Sequence, residues 1–249
     1  MEKMIYAIVD SGKNQDGISE AMNCVSIAMG LPGYLVSYKD ISAVLGILKE
    51  KTSNVSQTDA LEYAHVIEKL ALYFSLLPMR YGAIVKTDDD VRELLEKNYE
   101  ALRQNLQKVE NKDEFSLKVF WDYLKSGKKI KKEAEYADSN IPEAMQGNSV
   151  HKVYLMSKLK EHRFETMLLQ HAEQIMGEIG RQIAKLTPFF NLKKMSSQSL
   201  IIDTVLLLEK SRQHELIQLT TEIQNQYPEL KLILTGPWPP YSFVQITLE

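Results

Sequence analysis

The segment Gly236–Val244, which reads GPWPPYSFV, restricts the fold of this 249-residue chain more than any other part of it. Each of its three prolines fixes its own φ angle at about −65° and removes a backbone hydrogen-bond donor. The residues that precede prolines are biased toward extended conformations. Tyr241, Phe243 and Ile246 then follow at strand spacing. The segment therefore predicts a rigid corner that leads into a strand.

Two roles fit this segment. In the first, its aromatic rings complete the hydrophobic core, because a buried aromatic ring removes a large apolar area from water. In the second, the rings form an exposed docking surface, since Trp and Tyr dominate the binding energy of protein interfaces. The candidate residues for either role are Trp238, Pro239, Pro240, Tyr241 and Phe243.

Arg80 is a further candidate, because it lies beside apolar residues within a predicted strand. A partly buried arginine needs a carboxylate or several carbonyl groups around it. A structural ion pair is therefore the favoured interpretation of Arg80. The alternative is an arginine that binds a partner.

Hydrophobic periodicity predicts an α+β protein of two domains. Residues 1–80 are typical of a mixed α/β domain. The predicted strands of this domain are Met4–Val9, Tyr34–Tyr38 and Ala43–Leu48, the predicted helix is Asp59–Leu77, and Cys24–Met29 is consistent with another strand.

Residues 81–249 form the second predicted domain. Its predicted strands are 79–85 (at the boundary), 115–121, 199–208 and 230–234, and its predicted helices are 87–109 and 209–226. With residues 122–198 set aside, the order is β-α-β-β-α-β, which is the ferredoxin-like arrangement. The segment 122–198 is predicted to be a helical insertion, since apolar residues between 168 and 186 recur at steps of three and four.

Composition narrows the function classes. A hydrophobic content of 44% and a charged content of 25% suit a globular protein with a substantial core. The net charge of −3 argues against a general nucleic-acid binder. Cys24 is the single cysteine, and the sequence has neither a signal-peptide pattern nor an apolar run that would predict a membrane span. The default expectation is a soluble cytosolic protein.

Motifs for catalysis or metal binding are not found in the sequence. The five histidines have no zinc-type spacing, and no nucleophile motif of the hydrolase type occurs. Asp88, Asp89 and Asp90 follow Thr87 at a predicted helix start, where acidic side chains complement the helix dipole. Binding of a divalent cation by these aspartates is the less favoured alternative. We therefore expect no catalytic residues, no metal and no cofactor.

Several segments also resemble a known family. GPWPPYSFV near the end of an α+β chain resembles the GvpF/GvpL family of gas vesicle proteins. The stretch LLPMRYGAIV, Leu76–Val85, is similar to the LPxRFG segment of that family, with Tyr81 where the family more often has Phe. Glu114–Val119 resembles a central strand of the family, and YLMSK, Tyr154–Lys158, resembles its YLxxK segment.

This resemblance implies a minor or accessory gas vesicle protein that is needed for vesicle assembly. Its partners would be the hydrophobic shell protein and other accessory proteins, and it would shield the shell protein from aggregation during nucleation. It would be found at the gas vesicle and in the cytoplasm before assembly. The alternatives are a small-molecule-binding regulatory module with a ferredoxin-like fold and an enzyme whose site is assembled from scattered polar residues. The sequence does not determine the oligomeric state.

Overall fold

The structure, a computed structural model, describes residues 2–13, 18–29, 33–47, 57–121, 150–193 and 199–244. Contacts divide the chain into two compact units. The first unit comprises Met1–Phe115, Leu207–Lys210 and Gly236–Glu249, and the second comprises Ser116–Leu206 and Ser211–Thr235. The position that the sequence suggested for a domain boundary, between residues 80 and 81, lies inside the first unit, and a division there stays a prediction.

The described residues form both strands and helices. The strands are β1 (Lys3–Asp10), β2 (Tyr34–Tyr38), β3 (Ile41–Ile47), β4 (Leu76–Pro78), β5 (Ile84–Val85), β6 (Lys112–Trp121), β7 (Phe190–Lys193), β8 (Leu200–Glu209) and β9 (Leu230–Trp238). The helices are α1 (Ile18–Met29), α2 (Gln57–Ala71), α3 (Asp88–Lys97), α4 (Tyr99–Val109), α5 (Val150–Leu186) and α6 (Gln213–Gln226).

The first sheet has the strand order β2-β3-β1-β4, and β5 also pairs with β1. β1 runs antiparallel to β3, β4 and β5. β1 is buried from Met4 to Asp10, so both of its faces are covered. Helix α2 supplies the apolar residues Val66, Ile67 and Leu70 to the core that packs on this sheet.

The second sheet has the strand order β7-β8-β6-β9. Its edge strand β7 runs antiparallel to β8. The long helix α5 buries the stripe that the sequence predicted, which is Leu168, Ala172, Ile175, Ile179, Ile183 and Leu186. Helix α6 buries Leu216 and Ile223. The helical character predicted for the middle of the chain is thus confirmed for residues 150–186, while residues 122–149 and 194–198 lie outside the described part.

Both sheets follow one pattern. β1-α1-β2-β3-α2-β4 and β6-α5-β7-β8-α6-β9 share the element order β-α-β-β-α-β, and the strands take the same positions in each sheet. The sequence prediction assigned this order to different strands and was wrong there. It took residues 79–85 as the first strand, whereas β4 and β5 pair with β1 in the first sheet. It also set aside α5 and β7 as an insertion, although both belong to the repeated order.

The predicted strand 79–85 is interrupted by a turn. The amide of Ala83 donates to the carbonyl oxygen of Arg80 over 3.0 Å. Gly82 has a φ of +84°, which glycine adopts more readily than other residues. The stretch MRYGAIV therefore forms a corner between two short strands, a geometry that its apolar pattern alone does not reveal.

Three helical segments also differ from their predictions. Residues 24–29 belong to helix α1 and not to a strand. The strand prediction failed because a short apolar run fits a helix as well as a strand. Helix α2 ends at Ala71, before Pro78. The predicted helix 87–109 is divided at Asn98, whose side-chain amide donates to the carbonyl oxygen of Leu94 over 2.9 Å. Such a side-chain bond competes with the regular backbone pattern.

Candidate functional site

The C-terminal segment, Gly236–Val244, begins inside β9 and turns immediately after it. The Gly236–Pro237 peptide bond is cis, and Gly236 has a φ of +124°. A Cβ atom on Gly236 would lie 2.8 Å from the carbonyl oxygen of Glu114 and 2.8 Å from a ring carbon of Phe115. After the strand, the amide of Tyr241 donates to the carbonyl oxygen of Pro239 over 2.7 Å. Only glycine fits the close approach at the start of this corner.

Residues of the C-terminal segment divide between core and surface. Pro239 and Pro240 are buried, and Phe243 is 8% exposed. Trp238 and Tyr241 are each 41% exposed. The two roles considered for this segment are therefore distributed over different residues, and the burial expected for Trp238 in the core role is only partial.

A buried carboxylate holds the C-terminal segment in place. Glu114 on β6 is 5% exposed, and its two carboxylate oxygens accept hydrogen bonds from the amide and the hydroxyl of Ser242, each over 2.7 Å. Burial raises the pKa of Glu114 above its usual value, and the two bonds from Ser242 oppose that rise. The ammonium group of Lys108 donates to the carbonyl oxygen of Phe243 over 3.1 Å and lies 5.7 Å from its ring centroid. We call the Glu114–Ser242 pair the carboxylate latch.

Three tyrosines pack beside the C-terminal segment. The rings of Tyr6 and Tyr63 are stacked with centroids 5.6 Å apart. The ring of Tyr81 stands at 89° to the ring of Tyr63, with centroids 5.4 Å apart. The hydroxyl of Tyr63 donates to the carbonyl oxygen of Met79, which fixes the ring between its neighbours.

The rings of Tyr63 and Tyr81 line a groove of about 480 Å³, which we call the tyrosine groove. Its lining residues are Tyr63, Pro78, Met79, Arg80, Tyr81, Ala83, Tyr241 and Val244. The groove therefore joins the segment Leu76–Val85 with the C-terminal segment, two parts of the chain separated by some 150 residues of sequence. These are two of the segments on which the sequence-based resemblance rests.

Arg80 lies at this groove and not in the core. It is exposed, so the premise of partial burial is wrong. Within the residues that the structure describes, its guanidinium group forms no ion pair. Its position on the groove is compatible with the partner-binding alternative.

Burial and nearby carboxylates both act on the tyrosine hydroxyls of the groove. Burial raises the pKa of Tyr241 to about 12, with a further contribution from the carboxylates of Glu68 and Glu114. Burial also raises the pKa of Tyr81, and the carboxylates of Asp59 and Glu62 add to that rise. The hydroxyls therefore stay protonated near neutral pH and present neutral aromatic rings to the groove.

The aspartates at residues 88–90 have structural partners. Asp88 accepts hydrogen bonds from Lys3 over 2.8 Å and from the hydroxyl of Tyr34 over 2.9 Å. The hydrogen bond from Lys3 lowers the pKa of Asp88 most. Thr87 and Asp90 form a reciprocal capping box at the start of α3. These contacts give Asp88 and Asp90 structural partners.

A second polar cluster was not anticipated from the sequence. Asp10 is buried and accepts a hydrogen bond from Arg103 over 2.7 Å. Asp40 lies 3.1 Å from Arg103 and accepts a bond from the hydroxyl of Tyr99 over 2.8 Å. Its members are as much as 93 residues apart in sequence, so local patterns give no signal for it.

Groups of three or more His, Cys, Asp or Glu side chains that could hold a metal ion do not occur in the described ranges. Within those ranges, no helix is both long enough and apolar enough to cross a membrane.

A family model described as gas vesicle synthesis protein GvpL/GvpF matches residues 3–245. The chain therefore belongs to the GvpL/GvpF family, and the resemblance seen in the sequence is confirmed. Gas vesicle protein L of a Streptomyces species is 23% identical over 239 residues, which cover 88% of this chain and 86% of the relative. Gas vesicle protein F1 of Halobacterium salinarum is 21% identical over 216 residues, which cover 86% and 81%.

Solved structures agree with the fold. The crystal structure of the gas vesicle protein GvpF from Anabaena sp. has a TM-score of 0.76 at 19% identity and covers 99% of both chains. The structure of GvpF from Microcystis aeruginosa has a TM-score of 0.68 at 16% identity and covers 98% of this chain and 99% of the other. At these identities the likeness concerns the fold alone.

Proposed function

We propose that this protein is an accessory factor of gas vesicle assembly that binds the hydrophobic shell protein and other accessory proteins. In this role it limits aggregation of the shell protein while a vesicle is nucleated. The protein acts in the cytoplasm before assembly and is found at the gas vesicle afterwards. It is not an enzyme and requires no cofactor.

The observation that supports this proposal is the tyrosine groove. Membership of the family connects the chain with gas vesicle synthesis. The groove then offers a partly exposed aromatic surface on which a protein partner could dock, since exposed Tyr is a preferred anchor of interfaces. Leu61 on α2 and Leu72, which directly follows that helix, are 65% and 71% exposed and add apolar surface to the same unit.

The repeated β-α-β-β-α-β order supports a further detail of the proposal. We infer that the chain consists of two ferredoxin-like parts, one on each sheet. The first lies in the compact unit that also contains the tyrosine groove, and the second includes the long helix α5. Whether the two parts are separate domains is tested by expressing each part alone and measuring its unfolding.

The proposal is tested by dilution of denatured shell protein into buffer with and without this protein. Light scattering measures aggregation, and co-sedimentation measures complex formation. We expect the wild-type protein to suppress scattering at near-stoichiometric ratios and Tyr241→Ala to do so less well. Tyr154→Ala is the matched control, because Tyr154 is an exposed tyrosine on α5. Equal scattering with and without the wild-type protein would contradict the proposal.

A second candidate is a small-molecule-binding regulatory module. The observation in its favour is the volume of the groove, because about 480 Å³ lies within the usual range of small-molecule sites. This candidate predicts that a metabolite extract raises the melting temperature of the purified protein and that the tyrosine-groove variant Tyr241→Ala abolishes the shift.

A further inference from the structure

We propose that the tyrosine groove binds a cationic side chain, arginine or lysine, on a partner polypeptide. The identity of that polypeptide as a gas vesicle protein rests on the proposed function, whereas the chemistry of the site does not. The argument uses the ring geometry, the distribution of lysines over other rings, and the charges around the groove.

The ring geometry suits a cation. Aromatic rings attract a cation that lies within about 6 Å of the ring centroid and over the ring face. Tyr63 and Tyr81 meet edge to face at 89°, and Tyr6 stacks on one face of Tyr63, so these contacts hold the ring of Tyr81 at the groove. Tyr241 supplies another ring to the same groove and is 41% exposed. The hydrogen bond from Tyr63 to Met79 holds Tyr63 in this arrangement.

Elsewhere the chain covers its aromatic faces with its own lysines. Lys39 lies 4.1 Å from the centroid of Tyr99, and Lys3 lies 5.6 Å from that of Tyr34. Lys108 lies 5.7 Å from the centroid of Phe243. In the part of the chain that the structure describes, no lysine or arginine lies over the three rings of the groove. A cation from another molecule can therefore lie against Tyr81 and the exposed ring of Tyr241, whereas Tyr6 already covers one face of Tyr63.

The charges around the groove favour a cation over an anion. Asp59 and Glu62 act on Tyr81, and Glu68 acts on Tyr241. Among the lining residues, Arg80 carries the opposing positive charge, and it is exposed to solvent. Glu114 also acts on Tyr241, so carboxylates are the charged groups that raise the pKa of both hydroxyls. An arginine or lysine gains both the aromatic contact and the field of these carboxylates.

The test uses the full-length protein and small probes of defined charge. Isotope-labelled protein is titrated with N-acetyl-arginine amide, N-acetyl-lysine amide and the uncharged N-acetyl-citrulline amide. Binding is followed by NMR at the backbone amides of Gly82 and Ala83, which lie in the turn that presents Tyr81. We expect saturable binding of both cations and binding of the citrulline probe that is weaker by about fivefold or more.

Substitutions locate the site. Tyr81→Leu removes the ring and is expected to weaken binding of the arginine probe by about fivefold. Tyr81→Phe keeps the ring face, and its affinity for the probe should stay within about twofold of the wild type. Tyr154→Leu on α5 is the control and leaves binding unchanged. Arg80→Gln removes the opposing charge and is expected to strengthen binding by about twofold. Because Arg80 is exposed, Arg80→Gln is expected to fold. It therefore tests the cation site even if Tyr81→Leu does not fold.

The possible outcomes distinguish a failure of the cation site from a failure of the proposed function. Equal binding of the arginine and citrulline probes, weaker binding in Arg80→Gln, or exclusive binding of a proline-rich peptide would overturn a cation site. Binding of the arginine probe without capture of shell protein would support the cation site and count against the proposed function. If the protein captures shell protein but does not bind the arginine probe, the cation site alone would be overturned.

Discussion

The carboxylate latch gives a prediction whose sign depends on which of two effects is larger. Burial of Glu114 disfavours its charged form, whereas the two hydrogen bonds from Ser242 favour that form. The balance raises the pKa of Glu114, so burial is the larger effect. In the pH range between the unfolded-state and folded-state values, the native protein binds more protons than the unfolded chain. Glu114 therefore makes the protein less stable as the pH rises through that range and contributes a constant penalty above it.

The magnitudes follow from the same contacts. Each unit by which the folded-state pKa exceeds the unfolded-state pKa costs about 1.4 kcal/mol of stability at neutral pH. Glu114→Gln removes this penalty and keeps one acceptor and one donor for Ser242, so we expect its stability at pH 7 to lie within about 1 kcal/mol of the wild type. Ser242→Ala leaves a buried carboxylate oxygen without its hydroxyl partner and is expected to cost about 1.5 kcal/mol.

Urea unfolding between about pH 4 and pH 8 measures these effects. The free energy of unfolding of the wild type, minus that of Glu114→Gln, should fall as the pH rises above the usual glutamate pKa of about 4.3 and then become constant. Ser157→Ala, at an exposed serine of α5, is the control for Ser242→Ala and should change stability by less than about 0.5 kcal/mol. A difference that grows with pH would refute the reasoning, because the hydrogen bonds would then outweigh burial.

Three further predictions concern stability. Phe243→Ala should lower the free energy of unfolding by about 3–5 kcal/mol and Trp238→Ala by less, because Phe243 is 8% exposed and Trp238 is 41% exposed; urea titration compares them. Gly236→Ala should cost about 1–3 kcal/mol in the same assay, whereas Gly177→Ala, with open space at its Cβ on α5, should be neutral or stabilising. Thr87→Ala removes the capping box and should lower stability by about 1 kcal/mol, which a shift of the melting temperature would report.

Local patterns predicted those parts of the fold that depend on neighbouring residues. The apolar stripe of α5 was predicted because one face of a helix repeats every three to four positions. The cap at Thr87 was predicted because its hydroxyl and the acidic residues after it satisfy the first amides of a helix. The stiffness of the C-terminal segment followed in the same way from its prolines.

Long-range partners could not be predicted in this way. Ser242 and Glu114 are 128 residues apart, and no local period connects them. In the sequence, Tyr63 is one residue of a predicted helix. Only the fold shows that it lies beside Tyr81 and the C-terminal segment. The strand assignment at residues 79–85 failed for a related reason, since pairing with β1 decides which sheet those residues join.

The shared construction of the tyrosine groove has a consequence for protein synthesis. Tyr63 and Tyr81 leave the ribosome early, but Tyr241 and Val244 are added only after more than 150 further residues. A nascent or prematurely terminated chain can thus form most of the first sheet and still lack one wall of the groove. If a partner docks in this groove, as proposed, only translation products that extend past the C-terminal segment can engage it. If that partner is the aggregation-prone shell protein, this order would keep incomplete chains from sequestering it.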